Sequence, residues 1–497
     1  MTDHVEVRRG AYHDSVTLMQ ASRTVAGVDG VDAALVAMAT ELNLELAAGM
    51  GFDVPSGTGP NDLLVAVRAS DDDAVADGLT ALTTALAARP TGGGDGTAGE
   101  APARTTGSAV RRAGASLVLV SVPGRHAFAE AMDALENDAS VMVFSDNVPV
   151  AEEIRLKDEA ARRGLLVMGP DCGTAVVGGV GLGFANAVQP GPVSLVAASG
   201  TGAQQVMCLL DASGVGVRHC LGVGGRDLSA DVGGRATLQA LRMLDEDAQT
   251  ELIVLVSKPP AKEVAEAVSE AARSLSTPVV LALLGRDAPD LTAAARQVCE
   301  RLGAPWQLPT PLTPVPSGPG SRRGPALRGL FAGGTLCDEA MVIAARAFGP
   351  IRSNIPLEPD WALPPDLRDP GHVMIDFGDD RLTAGRPHPM IDQSLRIERL
   401  VAEGADSSAG VVLLDVVLGF GAHADPAGEL APAIGRARAA AADDGRDLAV
   451  VVSLCGSAGD PQGLDAQAAA LAAAGATVYR SNAEAARAAV TLVEEAR

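Results

Sequence analysis

The stretch VSLVAASGTGAQQVMCLLDA, residues 193–212, decides the fold. Val193–Ala197 reads as a buried strand. Ser199-Gly200-Thr201-Gly202 makes a tight turn, and a helix follows through Ala212. A strand that runs through glycines straight into a helix is the βα unit of a parallel sheet. The same order returns in LRGLFAGGT, residues 327–335, where Leu327–Ala332 is the strand and Gly333-Gly334-Thr335 opens a helix through Ala347.

Working outward, each unit continues in step. Leu252–Val256 and Val279–Leu284 are strands of the first. Val411–Val417 and Leu448–Leu454 are strands of the second. The repeated order reads as an internal duplication. Upstream, Leu117–Val122, Val141–Phe144 and Leu165–Met168 are strands, separated by helices over Arg125–Asn137 and Val150–Arg163. Residues Glu6–Met38 read as strand, turn, helix, strand. The expected architecture is α/β, with three doubly wound parallel-sheet domains. Residues 1–190 form a Rossmann-like domain with a Gly-rich insertion at 89–108. Residues 191–303 form the second domain, 304–325 a Pro-rich linker, and 326–497 a flavodoxin-like third.

Composition fits this layout. The 497 residues are too many for one core, and 2% aromatics leave it to Ala, Val, Leu and Ile. Thirty-nine Lys and Arg against 62 Asp and Glu give a net charge of −23. With a pI near 4.7, nucleic acid and anionic membranes are not expected partners. The six Cys are scattered without a CxxC pair, so neither a disulfide framework nor a metal site is expected. Residues 1–20 carry charges where a secretory signal would be apolar, and a cytoplasmic protein is expected. GxxxxGK[ST], HExxH and GxSxG motifs are absent, and the turn Gly10–Ser15 lacks GxGxxG.

The candidate chemistry sits at the carboxyl ends of the strands, where open α/β sheets bind ligands. Ser199, Gly200, Thr201 and Gly202, with Gly333, Gly334 and Thr335, are candidate phosphate-binding turns. Glycine allows close backbone approach, and the helix dipole adds roughly half a positive charge. Ordinary tight turns are the alternative reading. Arg226 in Gly224–Ser229 is placed to bind an oxyanion or to pair with Asp227. His388 and Asp392, near Arg386, form a His–carboxylate group suited to proton transfer, or a set of helix caps. Asp415, Gly419 and Gly421 end a buried strand and are candidate substrate contacts. Asp171 and Cys172 are further candidates, although no base for a Cys172 thiolate is visible.

Several strings together resemble the FdrA family, relatives of succinyl-CoA synthetase, over nearly the whole chain. They are Phe144–Val148, Met168–Thr174, Ala198–Gly202, Gly224–Ser229, Val256–Pro260, Gly385–Asp392 and Leu414–Gly421. The resemblance implies a CoA-binding-type first domain, a synthetase-like second, and a third like the carboxyl-terminal ligase domain of a synthetase β subunit. It also implies that the two helix-opening turns match the pair that flanks the phosphohistidine of synthetases. The stretch equivalent to the phosphohistidine loop is Leu284–Pro289, which holds no His. The family is associated with oxamate carbamoyltransferase in purine and allantoin breakdown, interconverting oxalurate plus phosphate with oxamate plus carbamoyl phosphate. That implies small anionic substrates, carbamoyl phosphate between the two turns, two further subunits and an oligomer. An acyl-CoA synthetase subunit that binds CoA, or a non-catalytic scaffold, are the other expectations.

Overall fold

The computed structural model describes residues 1–495, apart from 12, 14, 88–102, 308–310, 314–322 and 384–385. The chain divides into two compact units: Met1–Arg104 with Thr383–Pro387, and Thr105–Leu382 with His388–Arg497.

In the first unit, strands Thr2–Arg8, Val31–Met38 and Leu63–Ala69 form an antiparallel sheet with Leu63–Ala69 in the centre. Leu63, Val65 and Val67 face one layer with Leu18, Val25 and Leu82 of the helices Ser15–Ala26 and Asp72–Ala87. Leu64 and Ala66 face the other, with Ala47 and Phe52. This two-residue alternation is what a sheet covered on both sides requires. It corrects the expectation of one Rossmann-like domain over 1–190. The strand–helix–strand of Glu6–Met38 is there, but its strands pair antiparallel through the later strand Leu63–Ala69. Of the expected insertion 89–108, residues 89–102 lie outside the described residues. Thr106–Ala113 is a helix, started by a reciprocal Thr105–Ser108 cap.

The second unit holds three sheets. Leu117–Val120, Ser140–Val143 and Val167–Met168 form a parallel sheet in that order. The next sheet runs Val279–Leu283, Leu252–Ser257, Val193–Ala198, Val217–Gly222, Thr174–Val177, Val180–Gly183. Its last two strands are antiparallel, so residues 174–183 belong to this sheet and not to a domain ending at 190. The third sheet runs Arg352–Ser353, Val373–Asp376, Ala326–Phe331, Ala409–Val417, Ala449–Cys455, Ala476–Tyr479, parallel throughout. In both large sheets the first parallel strand is interior, between Leu252–Ser257 and Val217–Gly222 in one and between Val373–Asp376 and Ala409–Val417 in the other, the doubly wound order expected from the duplication. That crossing point is the ligand edge of such sheets. Within the expected linker 304–325, residues 308–310 and 314–322 lie outside the described residues. Leu312 and Thr313 hydrogen-bond to Val478 at the sheet edge.

The two large domains meet through buried polar contacts. Asn186 donates to Leu418 O (2.9 Å) and Asp460 (2.8 Å), and Gln205 bonds to Arg480 O and Asn482 N. Among the described residues, no helix is long and apolar enough to cross a membrane.

Candidate functional site

The strands Val193–Ala198 and Ala326–Phe331 are buried at every position, which fixes the turns that follow them. At the first turn, the Ser199 hydroxyl caps the helix Gly200–Ala212 by accepting from Gly202 N (3.0 Å). At the second, Gly333 caps the helix Gly334–Phe348 with no side-chain acceptor. The two termini meet. Ser199 Oγ donates to Thr335 Oγ1 at 2.6 Å, both buried. A Cβ on Gly202 would stand 3.0 Å from Thr335 Cγ2, and one on Gly333 would stand 2.8 Å from Thr201 Oγ1. The inner halves of the two turns are therefore in direct contact. Their outer lip stays open: Gly200 is exposed, and Thr201 and Gly334 are half-buried. There, first-turn N–H groups without intrahelical acceptors add to the positive dipole ends of the two helices, an arrangement that attracts an anion. Ser199→Ala removes a helix cap and an interdomain bond together. It is expected to cost about 1–3 kcal/mol, read as a lower midpoint in thermal denaturation.

Asp415 holds the second turn in shape. Its two oxygens accept from Ala332 N (2.7 Å) and Gly333 N (2.8 Å), and Arg396 donates to it at 3.0 Å. Asp415 and Arg396 are both buried, so this is a support for the turn beneath the open lip.

Beside the lip lies a polar cluster built from all three sheets of the unit. Lys258 follows the buried strand Leu252–Ser257, and its Nζ stands 3.2 Å from where a Gly334 Cβ would be. Asp376 Oδ2 stands 2.6 Å from that same point. Asn354 brackets the Asp376 backbone, and Asp376 Oδ1 accepts from Gly378 N (2.9 Å), so its carboxyl is fixed in direction. Burial is the main reason why the Asp376 carboxyl is pushed up to about 7, against the pull of Lys258. Burial likewise pushes Asp338, on the second turn of the helix Gly334–Phe348, up to about 6. Asp171 is pushed to about 6 by the surrounding protein and by Asp380 and Asp146, opposed by Lys258 and Arg226. It is nevertheless exposed to solvent. Its backbone is left-handed (φ 57°), a strained state for a non-glycine residue. The three carboxylates hold the Lys258 ammonium above its ordinary value in spite of burial.

The other candidates are placed as follows. Arg226 is exposed and tied to Glu153 (2.9 Å) and Val148 O (2.8 Å), with its charge felt by Asp171. His388 accepts from Met390 N at Nδ1 (3.2 Å), and its Nε2 stands 2.7 Å from where a Gly378 Cβ would be. Burial holds it down to about 4, so it is neutral near pH 7. Asp392 Oδ1 accepts from Ser394 N (2.9 Å) just before the helix Ser394–Ala405, and Asp392 N donates to His388 O (3.0 Å). Arg386 is exposed, in the Thr383–Pro387 segment. Gly385 lies outside the described residues, as do Tyr12 and Asp14 of the Gly10–Ser15 turn. Gly419 (φ 117°) lets the chain approach Ala185, and Phe420 pairs with it as an antiparallel bridge. Gly421 packs on Phe184. Both glycines are thus used in chain-to-chain contact. Cys172 is buried and its thiol is held well above the ordinary range by desolvation, which keeps it from acting as a thiolate near neutral pH.

Sequence reasoning missed Lys258, Asp338 and Asp376 as site residues. The available signal was a charge directly after an apolar strand in LIVLVSK and VMID, and an Asp inside the apolar helix run TLCDEAM.

The Asp376 value has a direct consequence. A carboxyl raised on folding contributes stability below its unfolded value, and that contribution is lost as pH rises through about 7. Asp376→Asn is therefore expected to raise the thermal midpoint at pH 8 by at least ~2 °C and to leave it unchanged near pH 4.

Comparison with known proteins supports this architecture. The succinyl-CoA ligase like flavodoxin domain model matches residues 190–304, and the CoA-ligase model matches 330–492. Residues 1–102 match a model described as AllF, heavy metal-associated domain. That stretch contains no Cys, and among the described residues no three His, Cys, Asp or Glu are grouped to hold a metal, so these residues do not fit one. Nor is a CoA cradle visible at the turn after Leu117–Val120. A Cβ on Gly124 would lie 2.2 Å from Asp146 O, so that glycine serves chain packing. The α subunit of the ADP-forming succinate–CoA ligase of Methanothermobacter thermautotrophicus is 24% identical over 174 residues, 34% of this chain and 58% of that one. Among solved structures, PH0766 from Pyrococcus horikoshii aligns over 77% of this chain and 84% of its own, at 16% identity and a TM-score of 0.28. The Escherichia coli protein YahF is 38% identical over 502 residues, covering 97% of each chain. The chain therefore belongs to the YahF family, built on domains of the succinyl-CoA ligase type.

Proposed function

We propose that the paired helix termini bind a phosphate or acyl phosphate, and that the chain takes part in acyl transfer of the acid–CoA ligase class. The observation that carries this is the Ser199–Thr335 hydrogen bond joining two helix N-termini from two sheets. The anion lies on the open lip of Gly200, Thr201 and Gly334. There the dipoles stabilise the charge that collects on phosphate as the acyl group leaves, with no reorganisation at the moment of reaction. CoA, where it is the acceptor, supplies the thiol; no residue role is assigned to holding it. Positioning of two reactants on adjoining strand ends supplies much of the remaining rate.

Carbamoyl transfer between oxamate and phosphate is the second reading. It is favoured by the absence of a His from Leu284–Pro289, which suits an acyl phosphate used directly. Two further subunits and small anionic substrates go with that reading.

The test uses the full chain, tagged and purified with whatever subunits accompany it. Nucleotide- and CoA-dependent thioester formation from a panel of small acids supports the ligase class. Carbamoyl phosphate release from oxalurate and phosphate supports the second reading. An assembly that does neither, and whose chain binds no phosphate, leaves only a scaffold.

A further inference from the structure

We infer that Lys258 is the fixed cation of this anion site, and that the carboxylates caging it make the anion enter together with a proton. The inference rests on the phosphate reading above and deepens it.

Lys258 Nζ stands beside Gly334, on the open side of the second helix terminus. A cation there is repelled by the positive end of the helix dipole. That repulsion is offset by Asp376, whose Oδ2 stands at the same Gly334 position, and by the charges of Asp338 and Asp171, which also favour the ammonium. An ammonium held at a helix N-terminus by counter-charges is preorganised for a tetrahedral oxyanion, which would touch the amides and the ammonium at once. A lysine also serves as a point charge that a phosphate can approach from any side.

The charges that act on Asp171, Asp380 and Lys258 are those of Asp146, Asp171, Asp338, Asp376, Asp379 and Asp380 against Lys258 and Arg226. Two cations minus six carboxylates give −4 when all are ionised. Two helix dipoles add about +1 in all, so the empty crevice stays negative. A dianion entering it would be repelled unless carboxyls gained protons. Asp376, Asp338 and Asp171, raised to about 7, 6 and 6, are the groups ready to gain them. Behind Asp376, Asp415 is paired to Arg396, and Cys337 is a buried thiol held far above neutrality. His388 is neutral, and exchanges no proton above pH 6. The proton therefore goes to the Asp cage.

Sulfate is the probe, because its charge is constant between pH 6 and 8, with inorganic phosphate alongside. Titration calorimetry of the full chain in buffers of different ionisation enthalpy reads proton uptake directly. The expected result is uptake of about one proton per sulfate near pH 7, with affinity rising up to ~10-fold per pH unit as pH falls. Lys258→Met is expected to weaken binding at least ~10-fold, and Lys258→Arg to keep most of it. Asp376→Asn is expected to reduce proton uptake and to strengthen binding at pH 8. Undiminished binding by Lys258→Met, or pH-independent binding without proton uptake, overturns this inference and leaves the phosphate site standing. A wild-type chain that binds neither sulfate nor phosphate overturns both.

Discussion

Asp415→Ala is expected to lower the thermal midpoint of the second unit by about 10 °C, the largest stability loss of any single change at the site. Three partners lose their acceptor at once: Ala332 N, Gly333 N and the Arg396 guanidinium. None of them is near water, because Ala332, Gly333 and Arg396 are buried, as Asp415 is. Removing one partner of a buried ion pair typically costs ~3–5 kcal/mol, since it strands the other charge. The loss is not confined to stability. Ala332 and Gly333 form the turn that aims the helix Gly334–Phe348, so phosphate binding should weaken with it. Asp415→Asn keeps one acceptor oxygen and should fall between the wild type and Asp415→Ala. A calorimetric scan of the three proteins checks the order.

Gly334→Val is expected to remove phosphate binding while leaving the fold in place. Gly334 does not have a left-handed backbone, so a side chain there is not strained in itself. The obstacle is what the side chain meets: Asp376 Oδ2 at 2.6 Å and Lys258 Nζ at 3.2 Å from the Cβ position. Valine would displace both groups and cover the lip. Losing a charged contact of this kind is worth roughly 1.5–3 kcal/mol, or about 10–100-fold in affinity. Unchanged phosphate affinity in a well-folded Gly334→Val chain would remove Gly334 from the site.

The parallel part of the fold was legible because its strands are almost wholly apolar. Val193–Ala198 and Ala409–Val417 are buried at every position, and a run of that kind is placed inside a covered sheet by burial alone. The turns were legible because a Gly-rich break between such a strand and a helix has few other uses. The N-terminal unit was not. Its first strand–helix–strand looks the same in either topology, and only the pairing with Leu63–Ala69 makes it antiparallel. Strand partners are a long-range property that local periodicity does not carry.

The same limit explains the site. Ser199 and Thr335 were found because each has a local turn signature. Lys258, Asp338 and Asp376 lie 118 positions apart from first to last, and each on its own is an ordinary charged residue. Their meaning comes from two strand ends and a helix brought to one place. Gly419 and Gly421 show the converse. Their pattern signalled close backbone approach, and close approach is what they make, but to Ala185 and Phe184.

The central claim is that two helix termini, joined through Ser199 and Thr335, present one anion site on their open lip. Crystals of the full chain soaked in selenate test it through the anomalous signal of selenium. The expected result is a single strong peak within hydrogen-bonding reach of the Gly200 or Thr201 amide, the Gly334 amide and Lys258 Nζ. Selenate bound elsewhere in the second unit, with that lip occupied by water alone, would contradict it.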